Sequence, residues 1–379
     1  MNYKNRKNQK YEDYWKYTAA KTDFTNPLFL KSLEIIIDAI DSKDAYLPDD
    51  SKIPTSYQRL QEKITRLNSW DKKNGHINAR KEINTWIKNG FINPQLQTYH
   101  PLTKLFLNSN SEFERNTYKA RIFLENNQLN ASVTNRDGYK RNRVKFLLRT
   151  LENNGKLNKE DLLAVMFTNP DEYNDFLTEE QLKERKDFIK SIGALGRKYN
   201  QVSHFRSILK CLDQYIVFVD SVLFFRDDND EIQIISKSKN KPPRSQTEQQ
   251  IYRDMLIIES NKVLGLAENN SRCKCMLSGL PMSRAKIIAS HIWAYDKCDE
   301  ESEYDPNNGL LLGENADYYF DSGKISFSND GKVLIGNGVP DEWKDVFKSQ
   351  KLNSIFLNDK RREYLHKHRL INSFENSIN

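Results

Sequence analysis

Hydrophobic positions in the first hundred residues recur at helical spacing. Leu28, Leu30, Leu33, Ile35, Ile36, Ile37 and Ile40 fit one buried helix, closed by a turn at Pro48 to Asp50. Pro54 opens a second helix carrying Tyr57, Leu60, Ile64 and Leu67. Asn78 is placed to cap a third, with Ala79, Ile83, Trp86 and Ile87 inward and Gly90 as its stop. Helical patterns continue at Lys159 to Met166, Glu179 to Ile192 and Ser203 to Val219. A hairpin is expected from Val222 to Phe225 paired with Glu231 to Ile235 around Asp227 to Asp230. After a lead-in helix at Thr247 to Leu266 the pattern shortens. Lys286 to Ala289 and Gly309 to Leu312 read as two brief strands, and Glu314 to Phe320 as a helix. The expected class is α+β, a helix-rich N-terminal region followed by a C-terminal β-β-α unit.

These patterns divide the chain into a helical region at 1–110, a mostly helical region at 111–236, a linker at 237–246 containing Pro242 and Pro243, and a C-terminal domain at 247–379. The second and third helices, with Phe91 and Ile92 after them, suit either a helix-turn-helix or winged-helix DNA reader or a plain scaffold.

Composition narrows the setting. With 18 Tyr, 19 Phe and 5 Trp the chain is too aromatic for intrinsic disorder. Its longest apolar run, Tyr215 to Phe225, is interrupted by Asp220, so no membrane span is expected. The basic first ten residues have no apolar core, which argues against a secretory signal and for the cytoplasm. The net charge of +7 is unevenly distributed. Arg136, Lys140, Arg141, Arg143, Lys145 and Arg149 face only Asp137, and Lys237, Lys239, Lys241 and Arg244 face no acid. Arg136, Lys140, Arg141, Arg143, Lys145, Lys239, Lys241 and Arg244 are the candidate nucleic-acid contacts, because cations set on phosphates release condensed counterions. A solvated face is the plain alternative.

The chemistry concentrates between Cys275 and Gly336. His291 ends the first short strand, Asn308 precedes the second, and Asp317 lies in the first turn of the helix. Hydrolysis of a phosphodiester needs a base that titrates near neutrality, for which His is suited. It also needs a divalent cation on hard oxygen ligands, for which a carboxylate is suited. Asn308 can hydrogen-bond backbone across the intervening loop and hold the His-bearing segment.

The pieces Cys275-Met-Leu-Ser-Gly279, Ala289-Ser-His-Ile292, Asn308-Gly-Leu-Leu-Leu312 and Phe320-Asp-Ser-Gly323 occur in order. Together they resemble the HNH endonucleases, the ββα-metal family, in particular a bacterial restriction-endonuclease-like branch. The resemblance covers about residues 270–338, with an echo in the basic tail from Lys360 to Arg369. It implies His291 as general base, Asn308 as the central Asn and Asp317 as a metal ligand, with Mg²⁺ or Mn²⁺ as the cofactor. It differs at two places. Ser290 stands where the family often has a second acidic or His ligand, leaving a weak neutral donor. Trp293, Ala294 and Tyr295 stand where the branch often has Lys-Pro-Trp, which removes a cation from this edge.

Cys273, Cys275 and Cys298 lack paired Cys-x-x-Cys spacing, which argues against zinc. The acidic run Asp296, Asp299, Glu300, Glu301, Glu303 and Asp305 reads as a solvated excursion, and Asp321 and Gly323 as a helix end. His204, His366 and His368 have no constellation around them. The expectation is a metal-dependent endodeoxyribonuclease acting on double-stranded DNA, a sequence-specific type II restriction enzyme working as a homodimer. The alternatives are a modification-dependent or phage-defence nuclease, or an inactive DNA-binding protein.

Overall fold

The computed structural model describes residues 15, 21, 23–44, 55–71, 74–196, 202–226, 246–266 and 273–374. Two units are present. The first comprises residues 1–109 and 118–226; the second comprises 227–379 together with 110–117. Residues on both sides of position 110 thus share the first unit. The linker expected at 237–246 lies outside the described residues, apart from Gln246, the first residue of the helix that follows it.

Nine helices are described before residue 210: α1 (Pro27–Asp41), α2 (Thr55–Leu67), α3 (Gly75–Lys88), α4 (Thr103–Leu107), α5 (Glu112–Asn126), α6 (Arg143–Asn154), α7 (Lys159–Met166), α8 (Glu179–Ser191) and α9 (Val202–Ile208). Phe24, Phe29, Trp86, Phe91 and Phe106 form an aromatic core in the first unit. Phe29 stacks on Trp86 at 3.9 Å, and the indole N–H donates to Ser32 Oγ at 3.1 Å. Phe91 and Ile92 are fully buried members of that core. Helix α3 begins earlier than an Asn78 cap would place it. The side chain of Asp71 accepts from Asn74 N, and a Cβ on Gly75 would lie 2.2 Å from Thr65 Cγ2, so the helix start packs directly on α2.

The expected hairpin strand Val222–Phe225 has a partner that the spacing did not assign to it. Strand β1 (Ile216–Val219), which the apolar spacing assigned to a helix, pairs antiparallel with β2 (Val222–Phe225). Asp220 and Ser221 carry φ of 47° and 69°, the twist of a two-residue primed turn, and this sets the register. The anticipated partner at 231–235 lies outside the described residues.

The second unit holds α10 (Gln246–Val263), β3 (Cys273–Lys274), β4 (Pro281–Met282), β5 (Ile288–His291), β6 (Gly309–Leu312), α11 (Glu314–Asp321), β7 (Ile325–Phe327), β8 (Val333–Ile335), α12 (Asp341–Lys348) and α13 (Asp359–Ile371). The strands form antiparallel pairs, and β5 runs against β6 with Ser290 opposite Leu310 and His291 opposite Gly309. With α11 following β6, this is an α+β module with a β-β-α core. Every residue of β6 is buried, which explains its uninterrupted Leu run.

Two arginines of α13 serve as internal fasteners, so the basic tail is not a uniformly solvated one. Arg361, 1 % exposed, donates to the carbonyls of Gly309, Pro306 and Phe356 and pairs with Glu259 at 2.8 Å. Arg369 donates to Phe327 O at 2.7 Å. Between them His368 stacks on Phe320 at 4.2 Å and shares a hydrogen bond with Ser326 Oγ at 2.9 Å. Burial lowers its pKa from 6.5 to about 4, assisted by Arg369 and opposed by a bond to Phe320 O. The unfolded chain therefore binds the proton more readily than the folded one between about pH 4 and 6.5. This contribution to stability is complete above pH 6.5 and is lost as pH falls through that window. Replacing His368 with Phe should flatten the pH dependence of unfolding free energy there, measured by urea titration at several pH values. An unchanged slope would place the titration elsewhere.

Candidate active site

The imidazole of His291 is fixed from three directions. Its Nε2 lies 3.2 Å from the Glu303 carbonyl oxygen. A carbonyl can only accept, so Nε2 carries the proton and Nδ1 carries the ring lone pair. The Tyr252 ring of α10 stacks on the imidazole at 4.2 Å with an interplanar angle of 19°, and Tyr295 meets it edge-on at 6.0 Å. The side chain of Glu303 accepts from Tyr295 Oη at 3.1 Å, so one residue supplies one of the three contacts and steadies another.

Gly309 makes the stacking possible. A Cβ there would lie 2.5 Å from Tyr252 Oη and 2.6 Å from Leu256 Cδ1. The residue across the ladder from His291 must therefore be glycine for α10 to bring Tyr252 under the base.

Asn308, fully buried, staples the loop between the strands. Its Oδ1 accepts from Trp293 N at 2.6 Å. Its Nδ2 donates to Trp293 O at 3.2 Å, Ser302 O at 3.0 Å and Cys298 Sγ at 3.3 Å. Backbone continues the ladder through Ile292 N to Asn308 O at 2.9 Å. Asn308 thus positions the chain leaving His291, and the contribution of Cys298 was not legible in its solitary spacing. Cys273 Sγ lies 3.2 Å from Met282 O, and Cys275 Sγ accepts from Ser278 N at 3.4 Å.

Asp317, half-buried on α11, has its pKa lifted to about 6. Burial is the main cause, the charge of Asp321 adds to it, and the Ser290 hydroxyl acts in the opposite direction. Ser290 is 4 % exposed; its Oγ does not reach hydrogen-bond geometry with Asp317 and has no partner among the described residues. The residue before the base thus carries an unsatisfied hydroxyl, and α11 carries a carboxylate pushed toward neutrality. This set suits a hard divalent cation that keeps water or phosphate oxygens as its remaining ligands. Among the described residues no group of three His, Cys, Asp or Glu side chains forms a closed metal cage.

The acidic loop is only partly the solvated excursion its charge suggests. Glu303 and Asp305 are buried. Asp305 pairs with Lys360 at 2.9 Å, accepts from Tyr364 Oη at 3.1 Å and caps the short turn before Asn308. These bonds hold its pKa down despite burial.

The expected phosphate contacts of the first unit separate. Arg136, Lys140 and Arg141 are exposed and Lys145 is half-buried. Arg141 is engaged by Asp175 at 2.7 Å and by Asn174 O. Arg143 is a correction: it is 2 % exposed, paired with Asp137 and set against the rings of Tyr139 and Trp15. Its place at the start of α6, beside inward-facing Val144 and Leu147, turns it into the core, where no phosphate reaches it. Lys239, Lys241 and Arg244 lie outside the described residues.

Residues 275–328 match the family model of the HNH endonucleases, a span that contains Ser290, His291, Asn308 and Asp317. Together with the β-β-α core this makes the C-terminal module similar to the nucleases of that family. The comparison with curated proteins returned no match. No helix among the described residues is long and apolar enough to cross a membrane.

Replacing Asn308 with Ala should destabilise the module by on the order of 3 kcal/mol, because the Trp293 and Ser302 backbone groups lose their partners in a buried setting. Chemical denaturation followed by the fluorescence of Trp293 would measure it. A loss below about 1 kcal/mol would mean that the loop holds without the staple.

Proposed function

We propose that this chain is a metal-dependent DNA endonuclease, a sequence-specific type II restriction enzyme acting on double-stranded DNA as a cytoplasmic homodimer. The observation that carries the reading is the 3.2 Å contact of His291 Nε2 with Glu303 O, which assigns the ring proton to Nε2 and makes Nδ1 the basic nitrogen, on a histidine adjacent in sequence to the Ser290 hydroxyl and in the same β-β-α unit as Asp317.

In this reading Nδ1 takes a proton from water as the water oxygen attacks phosphorus, the P–O bond to the leaving sugar oxygen breaks and that oxygen takes a proton from solvent, and the imidazolium keeps its Nε2–H bond throughout. Tyr252 and Tyr295 hold the ring plane, so no reorientation accompanies the proton transfer. Asn308 fixes the strand exit by its bonds to Trp293. A divalent cation, Mg²⁺ or Mn²⁺, held by Asp317 with Ser290 would stabilise the charge developing on the phosphate. The size of the helix-rich region before the module supports the sequence-specific part, since reading a defined site requires a surface beyond the cutting unit. Arg136, Lys140, Arg141 and Lys145 remain the backbone-contact candidates there.

His291→Ala should lower cleavage of supercoiled plasmid by at least about 10²-fold while leaving duplex binding within a few-fold, because the base acts on water and not on phosphate affinity. A variant that still cuts at more than a few per cent of the parental rate would put the base elsewhere. One site cuts one strand, so two copies on a two-fold target would sever both in one encounter. Light scattering should show a dimer free or on a cognate duplex. A monomer in both states, with nicked plasmid accumulating before linear product, would overturn the pairing.

A further inference from the structure

The exit of strand β5 carries an aromatic ring with two lysines set against it. Lys297 Nζ lies 5.4 Å from the centroid of the Trp293 ring and Lys367 Nζ lies 5.6 Å from it. The two cations come from different parts of the chain, Lys297 from the turn after Trp293 and Lys367 from α13. Both are exposed, and neither forms an ion pair with an acidic side chain among the described residues. The ring beneath them is rigidly held. Trp293 Nε1 donates to Lys297 O at 2.9 Å, and the Trp293 backbone is bonded on both its N–H and C=O to Asn308. Trp293 follows His291 by two residues.

We infer that Lys297 and Lys367, arrayed on the Trp293 ring, contact the phosphate backbone of the nucleic acid beside the cleavage site. An exposed cation–π contact is worth only about 0.5–1 kcal/mol, which biases the two long side chains toward the ring but is too little to hold their charges from a phosphate. No nearby acid forms an ion pair with either lysine among the described residues. Asp305 and Glu301 pair with Lys360, Asp299 bonds Ser302, Glu303 is turned inward to Tyr295, and Asp296, Glu300 and Glu363 flank the lysines in the chain without such a pair. The inference rests on the nuclease reading above.

The test is binding of the full-length protein to a short fluorescent duplex in EDTA, by anisotropy across a range of salt concentrations, with plasmid cleavage run in parallel. The double variant Lys297→Gln/Lys367→Gln should make the salt slope shallower by up to about two and weaken binding at low salt by 10-fold or more. Lys297→Arg/Lys367→Arg should keep the parental slope. The control Lys344→Gln/Lys348→Gln on α12 removes the same charge and should leave the slope unchanged; thermal melting checks that every variant is folded. Equal slopes in the parent and the first double variant, or an equal fall in the control, would overturn the inference while leaving the nuclease reading intact. Failure of the parent to bind or cut DNA would overturn both.

Discussion

The C-terminal module depends on the close approach of α10 to the first residue of β6. Gly309 has no side chain, so Tyr252 and Leu256 occupy the volume that a Cβ would take, and the Tyr252 ring lies against the imidazole of His291. The buried guanidinium of Arg361 seals the same point by binding the Gly309 and Pro306 carbonyls and pairing with Glu259 of α10. Helix, strand and C-terminal helix therefore meet at one residue, and the orientation of the base follows from that meeting.

Polar and charged groups in this unit divide by whether they have a partner. Asp254 is fully buried yet bound by both Arg284 nitrogens at 2.7 Å, and Glu259 is held by Arg361. Such pairs brace the frame, because removing one member strands the other in low dielectric. Ser290 and Asp317 differ. They carry an unsatisfied hydroxyl and a carboxylate pushed toward neutrality beside the one histidine whose tautomer is fixed on β5. A buried hydroxyl without a partner next in sequence to an oriented histidine, with a carboxylate pushed toward neutrality in the same β-β-α unit, is the combination that marks a candidate reaction site in physical terms.

The acidic loop shows how a chain can carry repulsive charge next to a proposed phosphate site. Hydrogen bonds and Lys360 draw Glu303 and Asp305 inward, where they hold Tyr295 and Tyr364. The same inward turn delivers the Glu303 carbonyl to His291. An element that reads as solvent-facing by charge alone is here part of the support of the base.

Local pattern carried a good deal of this protein. The β6 run, the α11 turn with Asp317 and the His291–Asn308 spacing were legible because each depends on a few adjacent residues: an apolar strand, a capped helix and a motif within a short loop. The α+β class followed from the same periodicities. What local pattern misplaced was decided by packing or by turn conformation. Ile216–Val219 has helical spacing but becomes a strand because Asp220 and Ser221 adopt left-handed φ, and Arg143 lies in a basic run but is drawn inside by Asp137 and two rings. The stacking of Tyr252 and the Lys367 contact with Trp293 join positions 39 and 74 residues apart in the chain, as their numbers give. No spacing rule encodes such pairs. They exist only once tertiary packing has brought α10 and α13 to the two short strands, because the energy that selects them is burial and contact between elements rather than any preference within one.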